Sequence, residues 1–214
     1  MYEDFISDFS KAGNYFKFPR LVMNAQGELE KKTSNPYYNW EDQVYREFMI
    51  GVLRLLEPRS EDNGTMIYLT IQEVEEMFFI MNGTIDIGFE ESRTTKYVLR
   101  LPKRNVIGAF NCTFNKKTLF MYKVSKKIEA YTIRKQKWLE HINNDEFKDI
   151  VQTLKSNVRE NYFKCIKDRI ILQQKLYMSK KKQKAKKGEQ HLYLTLVNIW
   201  DEKTALYHAA NEIK

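Results

Sequence analysis

The sequence predicts an α+β protein, built as an antiparallel, jelly-roll-like β-roll of about eight strands, with helices before it and a long helix after it. Short apolar runs separated by turn residues fill 60–134, which is typical of antiparallel sheets. Apolar residues then recur every fourth position from 150 to 170, which indicates a helix. The expected divisions are an aromatic N-terminal extension (1–37), the roll with its flanking helices (38–172), a lysine-rich helix end or linker (173–190) and a C-terminal helix (191–214).

The composition favours a folded protein in a reducing compartment. Of the 214 residues, 43% are hydrophobic and 14% aromatic, so the chain can bury a core and is not disordered as a whole. Cys112 and Cys165 are too few for a disulfide framework. No apolar run approaches the roughly 20 residues that a membrane-spanning helix needs. Since the acidic start matches neither a secretory signal nor a mitochondrial presequence, we expect an intracellular protein without a transmembrane segment.

Two helices are predicted ahead of the roll. Phe5 and Phe9 are four residues apart, as on one face of a short amphipathic helix, and 24–37 has the composition of a loop. Residues 38–57 carry apolar residues at three- and four-residue spacing, and Pro58 is expected to end this helix. The stripe expected to face the core comprises Trp40, Val44, Phe48, Val52 and Leu55.

The strand region depends on two turn signals. Asn63-Gly64 and Asn82-Gly83 are dipeptides that favour hairpin turns. After the second of these, apolar and polar residues alternate, as in a strand with one buried face. Strands are therefore expected at 77–81, 84–89, 96–101, 105–110, 118–122 and 127–134.

Helices return after the strands. A short helix is predicted at 136–142, and the side chain of Asn144 can cap the first turn of a long one. Gly188 is expected to end the long helix, and Cys165 falls beside its apolar face. Four-residue steps on a period of 3.6 should make the apolar stripe wind slowly around the axis. The stripe comprises Ile150, Leu154, Val158, Tyr162, Ile166 and Ile170.

The net charge of +8 is concentrated in one segment. Residues 175–188 hold seven lysines and no acidic residue. Such a run is either a solvated surface or a contact for an acidic partner, such as an acidic protein surface or anionic lipid. Because only Tyr177 interleaves these lysines, the pattern does not favour nucleic acid.

Motifs for catalysis or metal binding are not found in the sequence. There is no G-x-G-x-x-G and no Walker lysine motif. His141, His191 and His208 lack the spacing of metal ligands, and neither cysteine lies in a C-x-x-C pair. We therefore expect neither an enzyme nor a metal protein.

The order of the elements and three local segments resemble cyclic-nucleotide-binding domains. Residues 75–85 resemble the central hairpin of that family, with its glycine turn. Residues 97–101, followed by 106–108, resemble the approach to the phosphate-binding cassette. Residues 131–139 resemble the last strand as it passes into the short helix before the C-terminal lid helix.

Within that family, the chain is similar to the cyclic-nucleotide-binding regions of ciliate cation channels. The similar segments are 42–49, 56–59 and 106–115. The resemblance covers about residues 38–172 and implies a roll whose cassette is closed by the long helix.

The cassette departs from the family pattern at two positions. The family has a glutamate after the glycine, which holds the ribose hydroxyl, and an arginine that holds the cyclic phosphate. Here Ala109 and Lys117 stand at those positions, and the spacing between them is about one residue short. Lysine supplies charge but no bidentate fork. Each lost charged hydrogen bond costs about 1.5–3 kcal/mol, so the two losses should weaken binding by about two to four decades.

The resemblance also implies which residues would touch a nucleotide. If binding is retained, cAMP or cGMP is the implied ligand, and Tyr162 or Ile166 would cover the base. The residues expected around the phosphate are Gly108, Phe110, Asn111, Lys117 and Thr118.

The altered cassette predicts a non-catalytic domain that keeps the fold and serves as a structural or adaptor subunit of a larger assembly. The alternative is a cAMP- or cGMP-responsive regulatory module of a channel or kinase-type system. The resemblance to ciliate proteins makes the cilium or its axoneme an expected host, with the cytoplasm or a mitochondrial assembly as alternatives. The residues expected to contact partners are Phe5, Phe9, Phe16, Lys180, Lys181, Lys182, Lys184, Lys186, Lys187, Trp200 and Leu206.

Overall fold

The computed structural model describes residues 15–23, 29–31, 35–91 and 94–185. These residues fall into two units, which divide between Ile171 and Leu172. The sheet, the cassette and the residues that pack on them all belong to the first unit. The described part of the second unit is the C-terminal portion of one helix.

The element order confirms the α+β class and the antiparallel sheet. A 3₁₀ turn (Asp145–Phe147) precedes the helix α4 (Lys148–Tyr162), and a π-helical turn (Phe163–Lys167) joins it to the helix α5 (Asp168–Ala185). The strands and helices are β1 (Leu21–Met23), β2 (Leu29–Lys31), α1 (Gln43–Arg54), β3 (Glu57–Glu61), β4 (Met66–Tyr68), β5 (Glu76–Glu91), β6 (Thr94–Leu101), β7 (Asn105–Ile107), α2 (Ala109–Phe114), β8 (Met121–Arg134), α3 (Lys135–Ile142), α4 (Lys148–Tyr162) and α5 (Asp168–Ala185).

Two long strands organise the main sheet of six strands, whose order is β3-β8-β5-β6. The first part of β5 pairs with β7 and its second part pairs with β6, while β8 lies along its other side. At the other edge, β8 pairs with both β3 and β4. All of these pairings are antiparallel, so a parallel sheet with crossover helices is excluded for the described residues. The strands β1 and β2 form a separate two-stranded sheet.

The hairpin turn predicted at Asn82-Gly83 is wrong, because β5 continues through it. Asn82 pairs with Glu129, and Thr84 pairs with Lys126, so the dipeptide forms a β-bulge. Gly83 has a φ of +89°, and a Cβ there would collide with the backbone oxygen of Lys127. Both a hairpin turn and this bulge need a residue at positive φ, which glycine adopts easily. The Asn-Gly dipeptide alone therefore does not distinguish a turn from a bulge.

Asn63-Gly64 does form a turn, but not a hairpin. Gly64 has a φ of +93°, and its N–H donates to the carbonyl of Val124 at 2.8 Å. The strands on either side, β3 and β4, pair with β8 rather than with each other. The chain therefore pairs with the same strand, β8, both before and after this turn.

Several predicted strands are parts of one longer strand. The segments expected at 77–81 and 84–89 are both in β5, and 127–134 lies in β8, which also includes the end of 118–122. The strand expected at 105–110 ends at Ile107, because α2 begins two residues later. These mergers explain why six strands form the sheet where the sequence predicted about eight.

The first helix is shorter than predicted and presents a different face to the core. It ends at Arg54 with Leu55 as its cap, before Pro58 is reached. Trp40 and Val44, expected to be buried, have 39% and 43% of their surface exposed. The buried face comprises Tyr45, Phe48, Met49 and Val52.

The N-terminal segment selects this face. Phe18 is fully buried, with its ring edge-on to the rings of Tyr45 at 5.9 Å and Phe48 at 5.8 Å. Phe16 is 3% exposed and its ring lies 6.2 Å from that of Phe79 in β5. The expectation that Phe16 contacts a partner is thus corrected, since its side chain belongs to the core. The loop expected at 24–37 is also corrected in part, because it contains β2.

The apolar stripe predicted for the long helix is confirmed, since all six of its residues are buried. Its expected slow winding is not observed across the π-helical turn. In an α-helix each four-residue step advances the stripe by about 40° beyond a full turn. A π-helical turn contains more residues, so it removes this drift and keeps Tyr162, Ile166 and Ile170 buried. The stripe ends there, since Leu172, two residues beyond Ile170, is 57% exposed.

Most of the predicted partner residues cannot be compared with the structure. Phe5, Phe9, Lys186, Lys187, Trp200 and Leu206 lie outside the described residues, as does the helix predicted at 191–214. Lys180, Lys181, Lys182 and Lys184 lie in α5, whose backbone is helical to Ala185, and their contacts stay a prediction. None of the helices in the described ranges is both long and apolar enough to cross a membrane.

Candidate functional site

The segment 108–118, which we call the cassette, begins at a glycine that no other residue could replace without strain. Gly108 has a φ of +78° and precedes α2. A Cβ at this position would collide with the Tyr68 hydroxyl, which donates a hydrogen bond to the carbonyl oxygen of Glu76 at 2.7 Å. The turn is therefore fixed by its own backbone and by a buried tyrosine beneath it.

The helix α2 is tied to the rest of the roll by two buried contacts. The indole N–H of Trp138, in α3, donates to the Thr113 hydroxyl at 3.0 Å. The Cys112 thiol lies 3.7 Å from the carbonyl oxygen of Val74. Burial raises the pKa of Cys112 to about 12, so this thiol stays protonated and is not a nucleophile at neutral pH.

Two polar side chains predicted to meet a phosphate are engaged within the chain. The Asn111 side-chain amide donates to the carbonyl oxygens of Lys116 at 3.1 Å and Lys117 at 3.0 Å. The Thr118 hydroxyl donates to the carbonyl of Phe120 at 2.9 Å and accepts from its N–H at 3.2 Å. Asn111 is 3% exposed and Thr118 1% exposed, so both serve the turn that follows α2.

An aromatic stack connects α2 to the long helix. The rings of Phe110 and Tyr162 lie 4.2 Å apart and are inclined by only 10°. The ring centre of Phe114 is 5.0 Å from that of Phe110, and Phe163 meets Phe110 edge-on at 6.1 Å. Phe110 is 9% and Tyr162 6% exposed. Tyr162, one of the two residues expected to cover a nucleotide base, therefore packs on a side chain of the cassette.

The remaining cassette positions offer little to an anion. Lys117 is exposed on the turn after α2, and Ala109 is buried at the start of that helix. The structure thus brings Phe110 and Tyr162 together, while the side chains of Asn111 and Thr118 bond to nearby backbone.

A small cavity lies beside the long helix, where Tyr15 of the N-terminal segment approaches Cys165 and Val106. Its volume is about 10 Å³, enough for one water molecule at most. Desolvation raises the pKa of the Tyr15 hydroxyl. This space is too small for a nucleotide.

Sequence reasoning did not identify three groups that shape the site. Tyr68 lies beneath Gly108, Trp138 ties α3 to α2, and the N-terminal segment places Tyr15 beside the long helix. Each contact joins residues that are far apart in the chain, and no local spacing indicates them. The spacing of the apolar stripe did indicate that Tyr162 is buried, but it did not indicate the contact of its ring with Phe110.

Within the described part of the chain, no group of three histidine, cysteine, aspartate or glutamate residues is arranged to hold a metal ion. No family model matches the sequence, and no curated protein does.

Solved structures resemble part of the fold. A regulatory subunit of a cAMP-independent protein kinase A from Trypanosoma brucei matches 56% of this chain and 44% of its own, with 14% identity and a TM-score of 0.44. A protein from Geobacter metallireducens named for cyclic-nucleotide binding matches 57% of this chain and 84% of its own, with 14% identity and a TM-score of 0.45. The C-linker/CNBHD of zELK channels matches 57% of this chain and 62% of its own, with 13% identity and a TM-score of 0.47.

This chain spans less than two thirds of the kinase subunit and of the channel fragment. The matched structures include cyclic-nucleotide-binding proteins, and the likeness concerns the fold over little more than half of the chain. The finer similarity to ciliate channels stays a prediction.

The glycine turn gives a direct test of the cassette geometry. Gly64→Ala and Gly108→Ala both place an alanine at positive φ, but only Gly108 has atoms within 4 Å of the added Cβ. We expect Gly64→Ala to lower the free energy of unfolding by about 1–2 kcal/mol, and Gly108→Ala to lower it by at least about 3 kcal/mol because of the added overpacking. Urea denaturation measures both. Equal losses, or no recovery when Tyr68→Phe is added to Gly108→Ala, would contradict the contact with the tyrosine hydroxyl.

Proposed function

We propose that the chain is a non-catalytic, cyclic-nucleotide-binding-like domain that works as an adaptor subunit of a larger assembly. The observation that carries the proposal is the Phe110–Tyr162 stack, in which the long helix packs directly on the short helix of the cassette. Four of the residues implied for a nucleotide already contact other parts of the chain, namely Phe110, Asn111, Thr118 and Tyr162.

Opening the cassette for a nucleotide would cost free energy. The aromatic pair must separate, and such pairs contribute about 0.5–1.5 kcal/mol beyond the burial of their surface. The amide of Asn111 and the hydroxyl of Thr118 would have to leave their hydrogen bonds, at about 1 kcal/mol each or more. In return the cassette offers Lys117, a point charge without the fork of an arginine. The balance favours a closed domain.

An exposed apolar patch beside the cassette supports a protein partner. It consists of Leu69, Ile71 and Leu119, which are 47%, 68% and 45% exposed. The N–H of Ile71 donates to the carbonyl of Thr118 at 2.8 Å, so the patch is continuous with the turn that follows α2. Ile71 has a φ of +65°, an unusual conformation for a β-branched residue, which the neighbouring hydrogen bonds hold in place.

The lysine run from 175 to 187 is the second surface that we propose for a partner, in this case one with acidic chemistry. Its seven positive charges favour an acidic protein surface or anionic lipid. The cilium or its axoneme stays our proposed host, and neither cAMP nor cGMP is a required cofactor.

Thermal unfolding with cyclic nucleotides separates the adaptor from the regulatory alternative. A ligand at 100 times its dissociation constant adds about 2.7 kcal/mol to the free energy of unfolding. We expect no change in melting temperature with millimolar cAMP or cGMP, because the cassette is closed and lacks its glutamate and arginine. A saturable rise in melting temperature that is abolished by Lys117→Gln would support the regulatory module instead.

The adaptor role is tested through the apolar patch. The double variant Ile71→Asn and Leu119→Gln removes apolar surface, and asparagine tolerates the positive φ of position 71. We expect this tagged variant to fold with an unchanged or higher melting temperature and to lose proteins that co-purify with the wild-type chain. Ile50→Gln, at a 36% exposed residue of α1, is the control and should retain them. Retention by the patch variant, or equal loss by the control, would refute the role of the patch.

A further inference from the structure

A basic concavity lies at the β5 bulge, on a part of the roll that the cassette does not use. Its volume is about 530 Å³ and it is open to solvent. Three chain segments meet there: the bulge itself, the turn between β6 and β7, and the middle of β8. The lining residues are Asn82, Gly83, Thr84, Pro102, Lys103, Lys126, Lys127 and Glu129.

The bulge turns two successive lysines towards solvent. In a regular strand Lys126 and Lys127 would point to opposite faces of the sheet. Here both are exposed, because the pairing of β5 with β8 shifts between Asn82 and Thr84. The bulge is fixed at Gly83, where a side chain would collide with the backbone of Lys127. Bulges commonly re-aim side chains at functional sites in this way.

The concavity carries more positive than negative charge, with three lysines and one glutamate in its lining. Among the described residues, Lys103 and Lys126 form no ion pair. Lys127 is 3.3 Å from Asp62, but the two side chains are 63% and 82% exposed, so solvent weakens their attraction. The Glu129 carboxylate accepts a hydrogen bond from the Asn82 amide at 2.7 Å, which holds it in place. Three lysines and one anchored carboxylate therefore line the same concavity.

We propose that this concavity binds a compact ligand that carries several phosphate groups, such as inorganic polyphosphate or a phosphorylated inositol headgroup. Lysines act as point charges and suit clustered phosphate oxygens without requiring a fixed fork. The described residues that line the concavity include no aromatic side chain on which a nucleotide base could stack. Apart from Gly83 and Pro102, these described residues all have polar side chains, so they offer no apolar pocket for a peptide anchor. The volume falls within the range of about 300–1,000 Å³ that is usual for small-ligand sites.

Titration calorimetry of the full chain with inorganic tripolyphosphate, at physiological salt, tests the proposal. We expect saturable binding that weakens at least about tenfold in the triple variant Lys103→Gln, Lys126→Gln and Lys127→Gln. The matched control is Lys96→Gln, Lys148→Gln and Lys155→Gln, which removes the same charge from lysines outside the concavity and should bind within about twofold of wild type. Melting temperatures confirm that both variants are folded.

Vesicles separate the two sources of the phosphates. Phosphatidylcholine vesicles with and without phosphatidylinositol bisphosphate are sedimented with wild type and with each triple variant. Binding that needs both the phosphorylated lipid and the three lysines supports a headgroup, and binding of tripolyphosphate alone supports a soluble ligand. If wild type binds neither probe, or if the concavity variant binds as tightly as wild type, the proposal is overturned. The latter result would assign anion binding to the lysine run instead.

Discussion

The stack of Phe110 on Tyr162 joins the cassette to the long helix, and the proposed closed form of the domain depends on this contact. Phe110 lies in the short helix of the cassette, and Tyr162 is the last residue of α4, just before the π-helical turn. The extra residue of that turn keeps the next apolar residues on the buried face. Loss of the stack should therefore alter both the packing of the cassette and the position of the helix that covers it.

The sequence predicted what local patterns encode. The apolar stripe of the long helix, the short helix before it and the cap at Asn144 all follow from spacing within a few turns, and the Asn144 side chain does accept from the Glu146 N–H at 3.1 Å. The bulge at Asn82-Gly83 could not be predicted, because the partner strand decides whether a glycine at positive φ turns the chain or kinks it. The face of α1 was also misjudged, since Phe18, outside the helix, selects which residues are buried.

The local backbone of the candidate site followed from the sequence, but the contacts of its side chains did not. Gly108 at positive φ precedes the short helix α2, and the assignment of this segment as a phosphate-binding cassette stays a prediction. Nothing in the spacing of Asn111 and Thr118 shows that their side chains bond to their own backbone. The surfaces left for other molecules lie elsewhere, in an apolar patch beside the cassette and a basic concavity at the bulge of β5.

A double-mutant cycle on Phe110→Ala and Tyr162→Ala, followed by urea unfolding, tests most directly whether the two rings hold the cassette closed. We expect that the two losses of stability are not additive, with a coupling free energy of about 0.5–1.5 kcal/mol in favour of the pair. Additive losses would contradict it, because the long helix would then be held over the cassette by independent contacts rather than by the stack.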